Sequence, residues 1–259
     1  AGKKWDIDFG TSASLNTFNN NSENRNIIQT ISNSNPIVNS LNRVNNTGSS
    51  LYYQAGLEGT KKLDSAGSEW ENDIFYSYSR NSTDQDFDAE YIFPVSFFTG
   101  GDGTGINHRH RLNLKEDIRL KMKKRFTLEA GAKASFQTFR NETEYFQQNG
   151  NSRIKDIGRT NTFRYDENIN SAYVQGSQSL GKDIVIKAGL RLENTNMKGR
   201  QTVPGDTSFA IHRTDLFPYI YLSKNLMKIA GYDLRAYLVY RRTISRPGYD
   251  QLNPFARYV

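Results

Sequence analysis

The sequence of 259 residues contains no cysteine. This absence excludes a disulfide scaffold, catalysis by a thiol and a zinc site built on cysteine. The chain also has no run of about 18 consecutive apolar residues, which excludes a transmembrane helix. Its first residues do not resemble a secretory signal peptide, so we expect the N-terminus to be processed or cut.

Apolar residues are scarce, yet aromatic residues are not. The apolar share is 36% and the mean hydropathy is −0.72, against about 45–50% apolar residues in ordinary globular domains. Fifteen tyrosines and fifteen phenylalanines argue against a disordered chain. A membrane β-barrel accounts for both the low apolar share and the many aromatic residues, because its lumen and loops are polar and only alternate strand residues meet lipid.

Positive charge raises nucleic acid as a possible partner, since the formal net charge is +7. However, lysines and arginines are spread along the chain and concentrate only mildly in short turns such as Lys121–Arg125. We therefore expect no nucleic-acid partner.

The dominant pattern is alternation with a period of two, which places one set of residues on each face of a β-strand. From Asp183 to Asn194, apolar residues at even positions alternate with mostly polar residues at odd positions. The pattern recurs at Arg125–Phe139, Leu234–Arg241 and Ile106–Leu120, where Glu116 interrupts the apolar side. One face of each strand suits lipid and the other suits water.

Short and long connections alternate along the chain, as in an up-and-down barrel with a periplasmic and an extracellular rim. We predict an all-β fold, an antiparallel up-and-down transmembrane β-barrel segment of about 9–10 long strands. The polar stretch Asn16–Ser50 is predicted to hold two weakly patterned strands. The expected short turns are Lys61–Gly67, Lys121–Lys124, Leu180–Lys182 and Leu226–Gly231, and the expected long loops are Asn81–Gly105, Asn141–Thr162 and Asn196–Ala210.

A succession of motifs in the second half resembles the TonB-dependent receptor barrels of Bacteroidetes, in the outer membrane protein β-barrel family. Each motif is weak alone, but their order and spacing are fairly specific. In chain order they are Leu128-Glu-Ala-Gly-Ala-Lys133, Phe163-Arg-Tyr-Asp-Glu-Asn-Ile169, Ala172-Tyr-Val174, Ala188-Gly-Leu-Arg-Leu-Glu-Asn-Thr195, Asp215-Leu-Phe-Pro218, Arg242-Thr-Ile-Ser-Arg-Pro-Gly-Tyr249 and Leu252-Asn-Pro-Phe255.

The resemblance implies a barrel of about 22 strands that is plugged by an N-terminal domain and imports a scarce, bulky solute. Its implied partners are outer-membrane lipid, the protein's own plug, a TonB-type energising protein and possibly a surface lipoprotein. Residues 1–259 would be a partial barrel domain without plug or remaining strands, roughly the middle third of a longer protein. The alternatives are a small closed pore or adhesin, and an envelope structural or assembly component without transport.

Two groups of residues are weak candidates for metal ligands. His108 and His110 form an H-x-H pair on one strand face, although their apolar parity near a loop favours the membrane interface. Asp84, Asp86 and Asp88, followed by Glu90, could bind calcium, but the stretch lacks the central glycine and distal glutamate of an EF-hand. We therefore expect no metal and no cofactor.

Catalysis finds little support in the chain. Glu129, Arg191 and Glu193 project to polar strand faces without a third group or nucleophile to complete an active site. Gly100-Gly-Asp-Gly-Thr-Gly105 lacks the lysine of a phosphate-binding loop and is predicted to be a flexible loop tip. We expect that the protein is not an enzyme.

The last motifs are expected to shape a loop. Pro247 and Pro254 lack a backbone donor and should end strand pairing. The family-motif residues to which we assign a structural role are Arg246, Pro247, Leu252, Asn253, Pro254 and Phe255.

Overall fold

A computed structural model describes residues 5–29, 36–150, 152–181 and 183–252. These residues form one sheet of ten β-strands. The strands are β1 (Trp5–Gln29), β2 (Pro36–Lys62), β3 (Glu69–Phe93), β4 (Phe97–Lys121), β5 (Phe126–Asn149), β6 (Ser152–Lys155), β7 (Asn161–Leu180), β8 (Ile184–Val203), β9 (Thr207–Ile229) and β10 (Tyr232–Arg241), followed by a short helix α1 (Tyr249–Leu252).

Each long strand pairs antiparallel with the next long strand in the chain, from β1 to β10. The short strand β6 lies off this path and pairs with the end of β5. This order confirms the predicted all-β, up-and-down architecture and the expected number of strands.

The strands are longer than expected, and the predicted long loops are wrong. Asn81–Gly105, Asn141–Thr162 and Asn196–Ala210 consist mostly of paired strand residues, because the long strands continue as β-hairpins beyond the apolar band. In Asn16–Ser50, by contrast, the two strands that were predicted are present, because the described residues form the ends of β1 and β2. Backbone pairing holds these polar segments extended, although they carry little hydrophobic alternation.

The glycine-rich segment Gly100–Gly105 also departs from its prediction as a flexible tip. It lies inside β4 and pairs with β3 and β5 on its two sides. A Cβ atom at Gly103 would lie 2.2 Å from the Tyr145 ring, and one at Gly101 would lie 2.6 Å from the Phe87 ring. The glycines therefore let aromatic side chains of the neighbouring strands lie flat over the backbone, an arrangement that compensates for the weak β-propensity of glycine.

The two faces of the sheet differ in chemistry. The outer face carries an apolar band with large side chains left exposed, such as Phe9 at 70% and Leu238 at 66%. Trp5 and Trp70 pack together at the short-turn side of this band, with ring centroids 5.5 Å apart. Tyr78 lies eight residues beyond Trp70 on β3, which corresponds to about 20 Å of height for a tilted strand. Paired aromatic girdles around an apolar band indicate a surface that faces lipid.

The sheet has two open edges. Among the described residues, β1 pairs only with β2, and β10 pairs only with β9. Every residue of β1 is exposed. These ten strands therefore form a wall that does not close on itself.

Among the described residues, no helix is long and apolar enough to cross a membrane.

Candidate functional site: the inner face and its strap

The polar face of the wall, called the inner face below, carries a charged network within the height of the apolar band. The Arg119 guanidinium on β4 donates to Glu69 at 2.5 Å and to Glu129 at 2.9 Å, and so links β3, β4 and β5. Gln175 on β7 donates to the same Glu129 at 2.9 Å. Because carboxylates face arginine and amide donors, the charges are satisfied without an apolar core.

Further towards the long hairpins, two arginines of β4 converge on one neutral group. The Arg109 and Arg111 guanidiniums donate to Oε1 of Gln137 at 2.8 and 3.0 Å. Gln137 is one of the buried polar residues of the inner face.

The chain leaves the sheet after β10 and folds across the inner face. We call residues 242–252 the strap. Its first anchor is Arg242, whose backbone N–H donates to the Pro218 carbonyl at 3.2 Å. The Arg242 guanidinium donates to the Leu216 carbonyl and to Asp215 Oδ1, each at 2.9 Å. These contacts hold the start of the strap against β9.

The second anchor of the strap is Arg246. Its guanidinium forms an ion pair with Glu193 on β8 and donates to the Thr195 hydroxyl at 3.2 Å. Glu193 is only 5% exposed, and the other anchored carboxylate, Asp215, is 7% exposed. A buried carboxylate that loses its partner costs about 3–5 kcal/mol, so both anchors fix the strap in place.

The strap ends over an apolar cluster on the same inner face. Phe139, Phe163, Tyr165 and Met197 are buried there, and Leu252 of helix α1 packs against them. The Tyr165 hydroxyl donates to Glu167 at 2.7 Å. Because Tyr165 is buried, this hydrogen bond satisfies a hydroxyl group that water does not reach.

Several residues predicted from the motifs lie in the strap. Pairing in β10 already stops at Arg241, before Pro247 is reached. Arg246 holds an ion pair, and Leu252 contacts the apolar cluster. The remaining motif residues, Asn253, Pro254 and Phe255, lie outside the described residues.

The acidic series lies on a strand, where a loop was predicted. Asp84, Asp86, Asp88 and Glu90 occupy alternate positions of β3, all on the face that continues the outer surface. The Arg43 guanidinium approaches Asp88 at 3.1 Å and Glu90 at 3.5 Å. A cation supplied by the protein thus sits between two of these carboxylates.

The two histidines lie on the outer face with aromatic neighbours. Nδ1 of His110 is 2.9 Å from the Tyr76 hydroxyl, and Nδ1 of His108 is 3.1 Å from the Tyr78 hydroxyl. The four rings form a continuous aromatic patch at the long-hairpin side of the apolar band. In the part of the chain that the structure describes, no group of three or more His, Cys, Asp or Glu side chains is arranged to hold a metal ion.

Sequence reasoning missed the pairing between distant motifs. Glu193 and Asp215 were recognised as motif residues, but their partners Arg242 and Arg246 follow about 25–55 residues later in the chain, a separation typical of long-range strand contacts. The available signal was the charge of the motifs themselves, since two acidic motifs are followed by one motif with two arginines.

The chain matches a known protein family. The sequence pattern of the outer membrane protein beta-barrel family matches residues 61–259, which is most of the chain. No curated protein matches the chain at a significant level. The matched range includes both faces of the wall from β3 onwards and the whole strap.

Proposed function

This chain belongs to the outer membrane protein β-barrel family and lies in the bacterial outer membrane, and from this we propose that it forms part of the wall of a TonB-dependent receptor. In this proposal the wall and its long hairpins serve the energised uptake of a bulky solute. A plug domain and further strands would complete the receptor.

The observation that carries the proposal is the open sheet with a charged inner face. Ten strands without mutual closure need further strands to remove their edges from the membrane, because an unpaired edge in lipid costs several kcal/mol per unsatisfied group, about as much as a buried unpaired amide. A barrel wider than ten strands has room for a plug or a large solute. Charges such as Arg119 and Glu129 line the interior of such a barrel.

A small closed pore is the second candidate, and the edge strands argue against it. In a barrel closed by these strands alone, β1 would pair with β10, whereas the described residues of each pair with one neighbour. A structural or assembly role without transport keeps the same wall, so only a transport measurement separates it from a receptor.

The first test is a liposome-swelling assay with the full-length protein and uncharged sugars of increasing size. A plugged receptor should give no swelling, because its interior is occupied. Size-dependent swelling would support the passive pore and contradict the receptor.

The second test compares a deletion strain with its parent during growth on single scarce nutrients: iron chelates, cobalamin, oligosaccharides and peptides. We expect uptake of one class to be lost in the deletion strain and to be abolished in the parent by a protonophore. Equal uptake of every class by both strains would favour the structural role.

A further inference from the structure

A recess of about 320 Å³ opens on the inner face between β7, β8, β9 and β10. It exists because Gly189 on β8 has no side chain to fill the space between its cross-strand neighbours Gln175 and Tyr219. A Cβ atom at this position would lie 3.0 Å from the Gln175 Cβ and from the Val174 carbonyl. The floor of the recess is therefore backbone, at the height of the apolar band.

The walls of the recess combine aromatic rings with guanidinium groups. Phe217 is 4% exposed and lies between two arginines, with the Arg191 guanidinium 4.7 Å and the Arg242 guanidinium 5.5 Å from its ring centroid. Tyr219 supplies a further ring, whereas the Tyr173 ring turns away over Gly131 on β5 and its hydroxyl donates to Asp117 at 2.7 Å. Stacking on Phe217 holds both guanidiniums in place, which lowers the entropy lost when they bind a ligand.

The positive charge around the recess exceeds the negative charge. Four arginines share the two carboxylates Glu193 and Asp215. Arg241 lines the recess as well, directly across from Tyr219, and no carboxylate of the described residues forms an ion pair with it. Arg191 is only weakly held, at 3.6 Å from Glu193. Arg241 and Arg191 can therefore donate hydrogen bonds to a further anion.

We propose that this recess binds an oxyanion, a carboxylate or a phosphate, carried on a flat aromatic body. Arg241 and Arg191 would contact the anion from opposite sides, and the ring of Tyr219 would pack against the flat body. Because the recess lies midway along the lumen, the site would recognise a solute during passage. This meaning for uptake rests on the proposed receptor function, whereas binding itself does not require transport.

Equilibrium binding to the purified full-length protein in lipid nanodiscs tests the site without any energy source. The probes are 2-naphthoate, its uncharged analogue 2-naphthamide, and 2-naphthyl phosphate, which separates carboxylate from phosphate recognition. We expect one of the two anions to bind at least about tenfold more tightly than the amide. Equal binding of all three probes, or no binding, would overturn the proposal.

Two variants locate the binding. Arg241→Gln should weaken anion binding about tenfold by removing a charge-assisted hydrogen bond, and Gly189→Leu should abolish it by filling the recess. The matched control is Lys187→Gln, on the same face of β8 but directed over Tyr221. If Lys187→Gln weakens binding as much as Arg241→Gln, the attraction is general charge and the assigned site is wrong. Binding without uptake in cells would contradict only the receptor function.

Discussion

Inward- and outward-facing residues alternate in the same way along the edge strand β1 and along β8 and β9, which the strap covers. The two regions differ in how deeply their inner-face residues are buried. All residues of β1 are exposed, and its inner face carries mainly aspartate, serine and asparagine. The inner face of β8 holds a buried Glu193 and a buried Met197. The difference comes from the strap, which covers one region and does not reach the other. Alternation therefore decides which way a side chain points, and a distant segment decides whether it is buried.

The largest expected loss of stability follows from removing one anchor of the strap. Arg246→Ala removes the main partner of the buried Glu193 and leaves only Arg191, 3.6 Å away, which should lower the free energy of unfolding by up to about 3–5 kcal/mol. Equilibrium denaturation of the full-length protein in bilayers would measure this change in the free energy of unfolding. The control is Arg25→Ala at the exposed edge. Arg25 donates to Asn39 at 3.2 Å, and the expected loss is below about 0.5 kcal/mol.

A second variant separates lost charge pairing from lost contact area. In Glu193→Gln combined with Arg246→Ala, no buried carboxylate is left without its main partner, and the unpaired Arg191 is half-exposed, so stability should partly return. If the double variant is as unstable as Arg246→Ala alone, packing rather than the ion pair holds the strap.

An intermediate effect is expected from matched glycine substitutions. A Cβ atom at Gly199 on β8 would lie 2.2 Å from the Phe209 ring, whereas one at Gly10 on β1 would meet nothing within 4 Å. Gly199→Val should therefore destabilise by about 1–3 kcal/mol, and Gly10→Val should be neutral or slightly stabilising because valine favours strands. Equal losses at both sites would mean that the inner face of β8 is no more tightly packed than the edge.

The smallest effect concerns an exposed ion pair of the same chemistry at the tip of the β8–β9 hairpin. Arg200 donates to both oxygens of Asp206, at 3.0 and 2.7 Å. This hydrogen bonding lowers the pKa of Asp206 below its ordinary value of 3.8. The pair therefore contributes fully above that pH, and its contribution is lost as the pH falls through the lowered pKa.

Hydrogen exchange at the hairpin tip should thus be constant from neutral pH to pH about 5, after correction for intrinsic rates, and should accelerate only in stronger acid. Asp206→Asn should remove this acid-dependent step. A transition at a less acidic pH would contradict the assignment to Asp206.

Much of the wall follows from local sequence. Asp183–Asn194 predicts β8 because alternation of apolar and polar residues needs no knowledge of the neighbouring strands. The tight turns at residues 122–125 and 230–231 were likewise predicted near their observed positions. Alternation fails at Asn81–Gly105, since residues that meet water on both faces leave no hydropathy signal even when they are fully paired.

The sequence by itself determined the fold class, the two faces of the wall and the membrane in which it lies, because each rests on a period of two or on short motifs. Only the tertiary structure decided that the chain after Arg241 turns inward, that Arg242 and Arg246 meet Asp215 and Glu193, and that Gly189 leaves a recess beside them. These features join residues on different strands and follow from register and strand packing, which local patterns do not encode.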